Sequence, residues 1–330
     1  MKAVRMYAPR DLRVEEVDIP SYEADECLIK VMAVGVCGSD IPRANQHGAH
    51  VSPIIVGHEF GGQIVKTGDK VTKFKAGDRV TCPPLIPCFK CKYCEMGEYS
   101  LCEDYDYYGS RRDGAFAQYI AVKEGNLLKL DDKVSYEDAA TTDPCANALH
   151  SMMIGEFKPG DSVCVYGAGP IGLFAVQYAK IKGASKIIAV DVWEEKLEMA
   201  KKNGADVVIN SMKEDAAAKV MEVTGGNGAD IVIDYSGAPI CQKAAINSAA
   251  KLGKVVFLGI SHQGLELSEK EVDKILRREL SIKGSWNSFG KPFKRTQFPQ
   301  PALFQFLRNN YGSVLHSSVS RFSRSHSFDI

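Results

Sequence analysis

The chain has no excess of charge of either sign: 41 Lys and Arg are matched by 41 Asp and Glu over 330 residues. That balance removes the electrostatic footprint of a protein that binds nucleic acid or an anionic membrane. No run approaches the roughly 18 uninterrupted apolar residues that mark a membrane-spanning helix. No signal-peptide apolar core is present either, because Met1 to Tyr7 leads directly into the charged stretch Asp11 to Asp18. Repeats and long low-complexity segments are also missing. The expected compartment is the cytoplasm, with neither nucleic acid nor membrane as partner. Against these absences stand ten cysteines. Without a secretory signal they point to reduced thiols and metal ligation, not disulfides. The hydrophobic fraction of 45% and charged fraction of 25% are those of a soluble globular protein. The length exceeds one ordinary core, so two domains are expected.

Four of the cysteines are clustered. Cys88, Cys91, Cys94 and Cys102 lie in one short lobe, about residues 82–104, with two residues between successive members of the first three. A tetrahedral zinc ion takes four soft ligands at about 2.3 Å, and thiolates at this spacing supply all of them. A closed four-thiolate shell leaves no position for substrate. This zinc is therefore expected to be structural.

The rhythm of the chain changes along its length. Residues 1–147 read as β-rich, with short apolar runs such as Cys27 to Val34 and Gly62 to Val65 between turn residues, including Gly68-Asp69 and Gly77-Asp78. Residues 148–287 carry short β-branched runs at Ser162 to Tyr166, Lys186 to Asp191, Asp206 to Ile209, Asp230 to Asp234 and Lys254 to Leu258. Most are separated by helical stretches such as Ile171 to Lys182 and Glu194 to Asn203, an alternation that predicts a parallel sheet covered on both faces. Residues 288–330 differ again. From Ser281 onward the only acidic residue is Asp329, and beyond a possible short helix over Ala302 to Asn309 no amphipathic plan is evident.

Two further constellations carry chemistry. Val163 to Tyr166 runs into Gly167-Ala168-Gly169-Pro170-Ile171-Gly172 and then an apolar helix, which is GxGxxG in the strand–turn–helix context it requires. Gly167 suits the tight turn, Gly169 the approach of a pyrophosphate, and Gly172 the packing of helix on sheet, with the helix N-terminus, Pro170 and Ile171 included, facing the phosphates. The next strand ends at Asp191, where a carboxylate holds the ribose hydroxyls and repels a 2′-phosphate. NAD is thus expected over NADP, with Lys196 the one nearby cation that softens the preference. Earlier, Cys37-Gly38-Ser39-Asp40 and Gly57-His58-Glu59 offer a thiolate, an imidazole and a carboxylate. That mixed set is expected of a catalytic zinc that keeps a position open. Such an ion lowers the pKa of an alcohol so that it can give hydride to a nicotinamide. Ser39 is placed to pass a proton outward and Asp40 to orient a ligand. Asp143, ahead of Pro144, is a further candidate ligand; Cys145 competes with it, and a turn or cap role for Asp143 stands beside both.

Together these residues resemble the zinc-dependent medium-chain dehydrogenase/reductase family over roughly residues 1–290. The resemblance implies an α/β protein, with a GroES-like β-rich catalytic domain joined to a Rossmann doubly wound parallel-sheet domain. It implies two zinc ions per chain, one catalytic on Cys37, His58 and Glu59 and one structural, with NAD as cofactor. It also implies a homodimer or homotetramer joined through edge strands near Lys254 to Ile260 and Leu280 to Trp286. Within the family, Cys37 to Arg43, Gly48-Ala49-His50, Pro84 to Phe89, Tyr105 to Gly114 and Ile275 to Leu280, followed by Gly284-Ser285-Trp286, resemble the branch that oxidises galactitol 1-phosphate to tagatose 6-phosphate. Sorbitol, butanediol or threonine oxidation is the runner-up, and a non-catalytic nucleotide-binding zinc protein is the alternative of another class. A phosphorylated polyol needs cations, for which Arg43, Arg111 and Arg112 are candidates. Plain surface charge, or ion pairs to Asp40 or Asp113, is the competing account of each arginine. Two departures stand out. The family usually has Glu where Asp143 stands, one methylene longer in reach. From about residue 291 the chain does not resemble the family's return to the catalytic domain, and a frameshift or other C-terminal alteration is the expectation for that segment.

Overall fold

The computed structural model describes residues 1–261 and 263–288. The expected return segment at 288–330 and the short helix at 302–309 lie outside the described residues, Ser288 excepted. The described chain forms two compact units, one of residues 1–143 with Ser288 and the other of residues 144–287. The boundary falls within the helix Thr142–Ile154.

The first unit is built on antiparallel pairing. Its principal sheet has the spatial order Leu128–Lys129, Arg79–Thr81, Glu59–Thr67, Glu26–Gly35, Tyr119–Lys123. A three-stranded sheet orders Asp11–Glu16, Lys2–Ala8 and Ile54–Ile55, and a small ribbon pairs Leu85–Ile86 with Asp106–Tyr107. Antiparallel strands alternate faces, so Cys27 and Ile29 from one strand meet Phe60 and Ile64 from its neighbour in a core closed by Val80 and Tyr108. The two long strands pair from Cys27↔Thr67 to Gly35↔Glu59. That last pair lies next to the candidate metal ligands.

The second unit is a six-stranded parallel sheet. Its spatial order is Val207–Asn210, Lys186–Asp191, Ser162–Tyr166, Ala229–Asp234, Ala249–Phe257, Ser281–Gly284. In sequence terms this is third, second, first, fourth, fifth, sixth, the doubly wound order of dinucleotide-binding folds. Parallel strands covered on both faces read as continuous apolar runs, and Val163 to Val165 and Ile187 to Ala189 have no exposed surface at all. The β-branched runs anticipated five of the six strands, most ends within a residue or two, although the fifth begins at Ala249 rather than Lys254; the sixth, Ser281–Gly284, lies within the edge strand expected near Leu280 to Trp286. The placement of Lys254 to Ile260 at a sheet edge needs correction. Ala249–Phe257 is hydrogen-bonded on both sides, to Ala229–Asp234 and to Ser281–Gly284, so the edge is Ser281–Gly284. Among the described residues no helix is long and apolar enough to cross a membrane.

Ile188 is fully buried in this sheet, whereas Ile240 is 78% exposed on the helix Pro239–Ser248. Replacing Ile188 by Ala should cost about 2–5 kcal/mol through lost burial and a residual cavity. Ile240→Ala should stay within about 0.5 kcal/mol. Denaturant midpoints of the two variants measure the contrast.

Candidate metal centre and dinucleotide site

Register decides which side chains meet at the first cluster. The ladder between Glu26–Gly35 and Glu59–Thr67 ends with Gly35 opposite Glu59. The chain then continues past Gly35 to Cys37, while the opposing strand is entered through His58. The ligand atoms of Cys37, His58 and Glu59 consequently lie within 4.8 Å of one another. His58 and Glu59 are buried, at 2% and 8% exposure. Gly57 makes the approach possible: its φ is +89°, and a Cβ there would lie 2.6 Å from the Phe116 ring. Gly38 has no such neighbour, so the expected crowding of backbone by glycine holds at one motif and not at the other.

The surroundings orient these groups. Asp40 accepts from the Cys37 amide at 3.1 Å through Oδ2, pairs with Arg43 at 2.8 Å through Oδ1, and places that same oxygen 3.6 Å from His58 Nδ1. Ser39 Oγ donates to Cys37 Sγ at 3.3 Å. Tyr107 meets the His58 ring edge-on at 5.5 Å. Neither Tyr107 nor Gly35 was marked by the sequence as part of this cluster. A Cβ on Gly35 would lie 2.7 Å from Glu59 Oε2, so the absent side chain is what leaves the carboxylate its room. An apolar strand pattern carries no signal for that.

The donor set suits a divalent cation. Burial, followed by the nearby Cys37, drives the Glu59 carboxyl well above its ordinary range. Burial, followed by Asp40, raises the Cys37 thiol. His58 Nδ1 is buried without a hydrogen-bond partner among the described residues. Two acids forced toward their neutral forms beside an unbonded imidazole nitrogen describe a pocket short of positive charge, and a metal ion inverts that balance. Asp143 sits in the first turn of Thr142–Ile154, 7% exposed, and its charge raises both Glu59 and Cys37. It is near, but it is not one of the three residues grouped within 4.8 Å. Cys145 is buried in the same helix, which pushes its thiol up to about 12.

The four-cysteine lobe folds as a single helical turn, Lys92–Glu95, capped by Cys91, and a second short turn at Tyr99–Leu101 that delivers Cys102. All four Sγ atoms lie within 4.8 Å of one another, and Cys88 and Cys94 are 4.0 Å apart. A tetrahedron with Zn–S bonds of about 2.3 Å has edges of about 3.8 Å, so the set already has the size of a zinc shell.

In the second unit, Gly167 takes φ +96° at the end of its strand, and a Cβ on Gly172 would lie 2.0 Å from the Gly167 carbonyl oxygen. Nothing lies within 4 Å of where a Cβ on Gly169 would stand, leaving the space a pyrophosphate needs beside the backbone. Pro170 and Ile171 open the helix Pro170–Ile181 directly behind that space. Asp191 is held firmly: Oδ2 accepts from the Ala168 amide at 2.8 Å, and Oδ1 accepts from Val192 at 2.8 Å and Trp193 at 3.1 Å. Lys196 approaches it to 3.8 Å.

Comparison with known proteins agrees with this geometry. Residues 23–132 match the alcohol dehydrogenase GroES-like domain, and residues 170–306 match the zinc-binding dehydrogenase model. Galactitol 1-phosphate 5-dehydrogenase of Escherichia coli K12 is 38% identical over 294 residues, 89% of this chain and 85% of that protein. The chain belongs to the zinc-dependent medium-chain alcohol/polyol dehydrogenase family. Sorbitol dehydrogenase of Bacillus subtilis strain 168 is 37% identical over 80% of this dehydrogenase and 76% of its own length. The crystal structure of galactitol-1-phosphate dehydrogenase from Escherichia coli superposes with a TM-score of 0.86 at 33% identity, covering 100% of this chain and 98% of that one.

The three candidate arginines of this dehydrogenase differ in their partners. Arg112 is drawn inward, paired with Asp106 at 2.8 Å and Glu26 at 3.5 Å and lying over the Tyr108 ring. Arg43 is paired with Asp40. Arg111 is exposed and stacks over Tyr105 at 4.8 Å. Asp113, the other candidate partner for them, accepts instead from the Ile55 amide at 2.9 Å.

The thiols of the metal-free lobe should differ sharply. Amides of Glu103 and Cys94 lower Cys91 to about 6, while burial pushes Cys94 up to about 12. After chelation, alkylation at pH 7 followed by peptide mass spectrometry should mark Cys91 first and Cys94 last, because the thiolate is the nucleophile. Cys94 reacting ahead of Cys91 would contradict this electrostatic picture.

Proposed function

We propose that this dehydrogenase oxidises a secondary alcohol of a polyol phosphate with NAD, converting galactitol 1-phosphate to tagatose 6-phosphate. The observation that carries the reading is the open set of three donors, Cys37, His58 and Glu59, in a chain 38% identical to galactitol 1-phosphate 5-dehydrogenase. Bound zinc would supply Lewis acidity that lowers the pKa of the substrate alcohol, and bound NAD would supply the hydride acceptor. The residues of the chain then have distinct tasks. Cys37, His58 and Glu59 would hold the ion with one position left for the substrate oxygen, a position that Asp143 would fill only in the absence of substrate. Asp40 fixes the Cys37 backbone and faces His58. Ser39 takes the alcohol proton outward. Gly167, Gly169, Pro170, Ile171 and Gly172 receive the pyrophosphate, and Asp191 receives the ribose hydroxyls, a role that favours NAD over NADP. Cys88, Cys91, Cys94 and Cys102 brace their lobe with a second zinc.

Sorbitol oxidation is the second reading, supported by the 37% identity to sorbitol dehydrogenase. Metal analysis of purified protein should find two zinc ions per chain, and Cys37→Ser should lose one of them together with alcohol-dependent NADH formation. On a panel of galactitol 1-phosphate, galactitol and sorbitol, kcat/KM for the phosphorylated polyol should lead by at least about tenfold. Equal or better rates on the free polyols would favour the sorbitol reading. One zinc with NAD binding and no turnover would return the chain to a non-catalytic role.

A further inference from the structure

Resting on the polyol-phosphate reading, we propose that Arg43, His50 and Arg111 form the subsite for the substrate's phosphate, and that Arg112 is not part of it. The backbone assembles the three. Gly48 N–H closes the helical turn begun at Arg43 by bonding the Arg43 carbonyl at 2.9 Å, which sets the direction of the chain toward His50. His50 N–H then bonds the Ser110 carbonyl at 3.1 Å, joining this segment to the turn that bears Arg111.

Each arginine is linked to the metal-site histidine by a short series of contacts. On one side Arg43 pairs with Asp40 at 2.8 Å, and the same Asp40 oxygen lies 3.6 Å from His58 Nδ1. On the other, Arg111 stacks on Tyr105 at 4.8 Å, Tyr105 meets Tyr107 at 6.4 Å, and Tyr107 meets His58 at 5.5 Å. Two separate series of contacts thus join the two cations to the same imidazole. Their proximity to His50 has an electrostatic consequence: after burial, the charges of Arg111 and then Arg43 hold its imidazole below the ordinary range.

Gathering like charges is unfavourable unless an anion joins them. Asp40 answers Arg43, but Arg111 makes no ion pair among the described residues. A phosphomonoester is nearly a dianion with three acceptor oxygens, which suits two planar forks and an imidazole donor. Arg112 offers no comparable opportunity, since Asp106 and Glu26 already neutralise it.

The test uses the full chain loaded with zinc, as wild type and as the variants Arg111→Ala and His50→Gln, with Arg111→Lys as the conservative control. The first readout is the ratio of kcat/KM for galactitol 1-phosphate to that for galactitol. The second is the dissociation constant of inorganic phosphate, measured by calorimetry without turnover. Arg111→Ala should lower the ratio and weaken phosphate binding by about 10–100-fold, the worth of a charge-assisted contact, with partial recovery in Arg111→Lys. His50→Gln should move both readouts in the same direction by a smaller factor. Phosphate binding of equal strength in wild type and both variants would overturn the subsite. A wild type that binds phosphate through these residues yet does not prefer galactitol 1-phosphate would instead overturn the substrate reading and leave the subsite standing.

Discussion

The pairing of Gly35 with Glu59 is the constraint on which the candidate metal centre of this dehydrogenase depends. Side chains on paired strands alternate with a period of two, so a slip of one residue would turn each of them to the opposite face. In the observed register the thiol, imidazole and carboxylate emerge together at the end of the ladder. The strands are pinned in turn by their core residues, Cys27 and Ile29 against Phe60 and Ile64. The hydrophobic pattern thus does more than stabilise the sheet. It sets the spacing of the donors.

The two candidate metal clusters differ in how they meet the cost of concentrating acidic groups. In the four-cysteine lobe the thiols are near one another on a short surface segment, and local amides favour one thiolate, Cys91, ahead of the others. In the Cys37–His58–Glu59 cluster burial dominates, with Cys37 opposing the ionisation of Glu59 and Asp40 opposing that of Cys37. The first arrangement has four donors at the size of a closed shell. The second has three, with the helix-borne Asp143 close enough to act on them electrostatically but outside their group.

Much of the fold was legible because its signals are local. The runs Ser162–Tyr166 and Lys186–Asp191 coincide with the strands observed, since fully buried parallel strands leave unbroken apolar segments. The four cysteines and Cys37, His58 and Glu59 were also visible, because metal donors are rare residue types at short spacings. What escaped notice depends on who neighbours whom. Gly35 matters through a carboxylate 24 positions later. Ala249 extends a strand inward, and pairing on both sides, which no single segment encodes, removes Lys254 to Phe257 from the sheet edge. The fates of Arg111 and Arg112 diverge although they are adjacent in sequence, because one faces an acidic pair and the other an aromatic ring.

Asp191 illustrates a further coupling. Its two oxygens join the glycine turn after the first strand of the parallel sheet to the loop after the second, through the amides of Ala168, Val192 and Trp193. The carboxylate proposed to discriminate between coenzymes is therefore also a clasp between two loops. A residue chosen only to admit a 2′-phosphate would open that clasp, so redesigning coenzyme choice here requires a replacement for the loop-to-loop tether as well as a new charge.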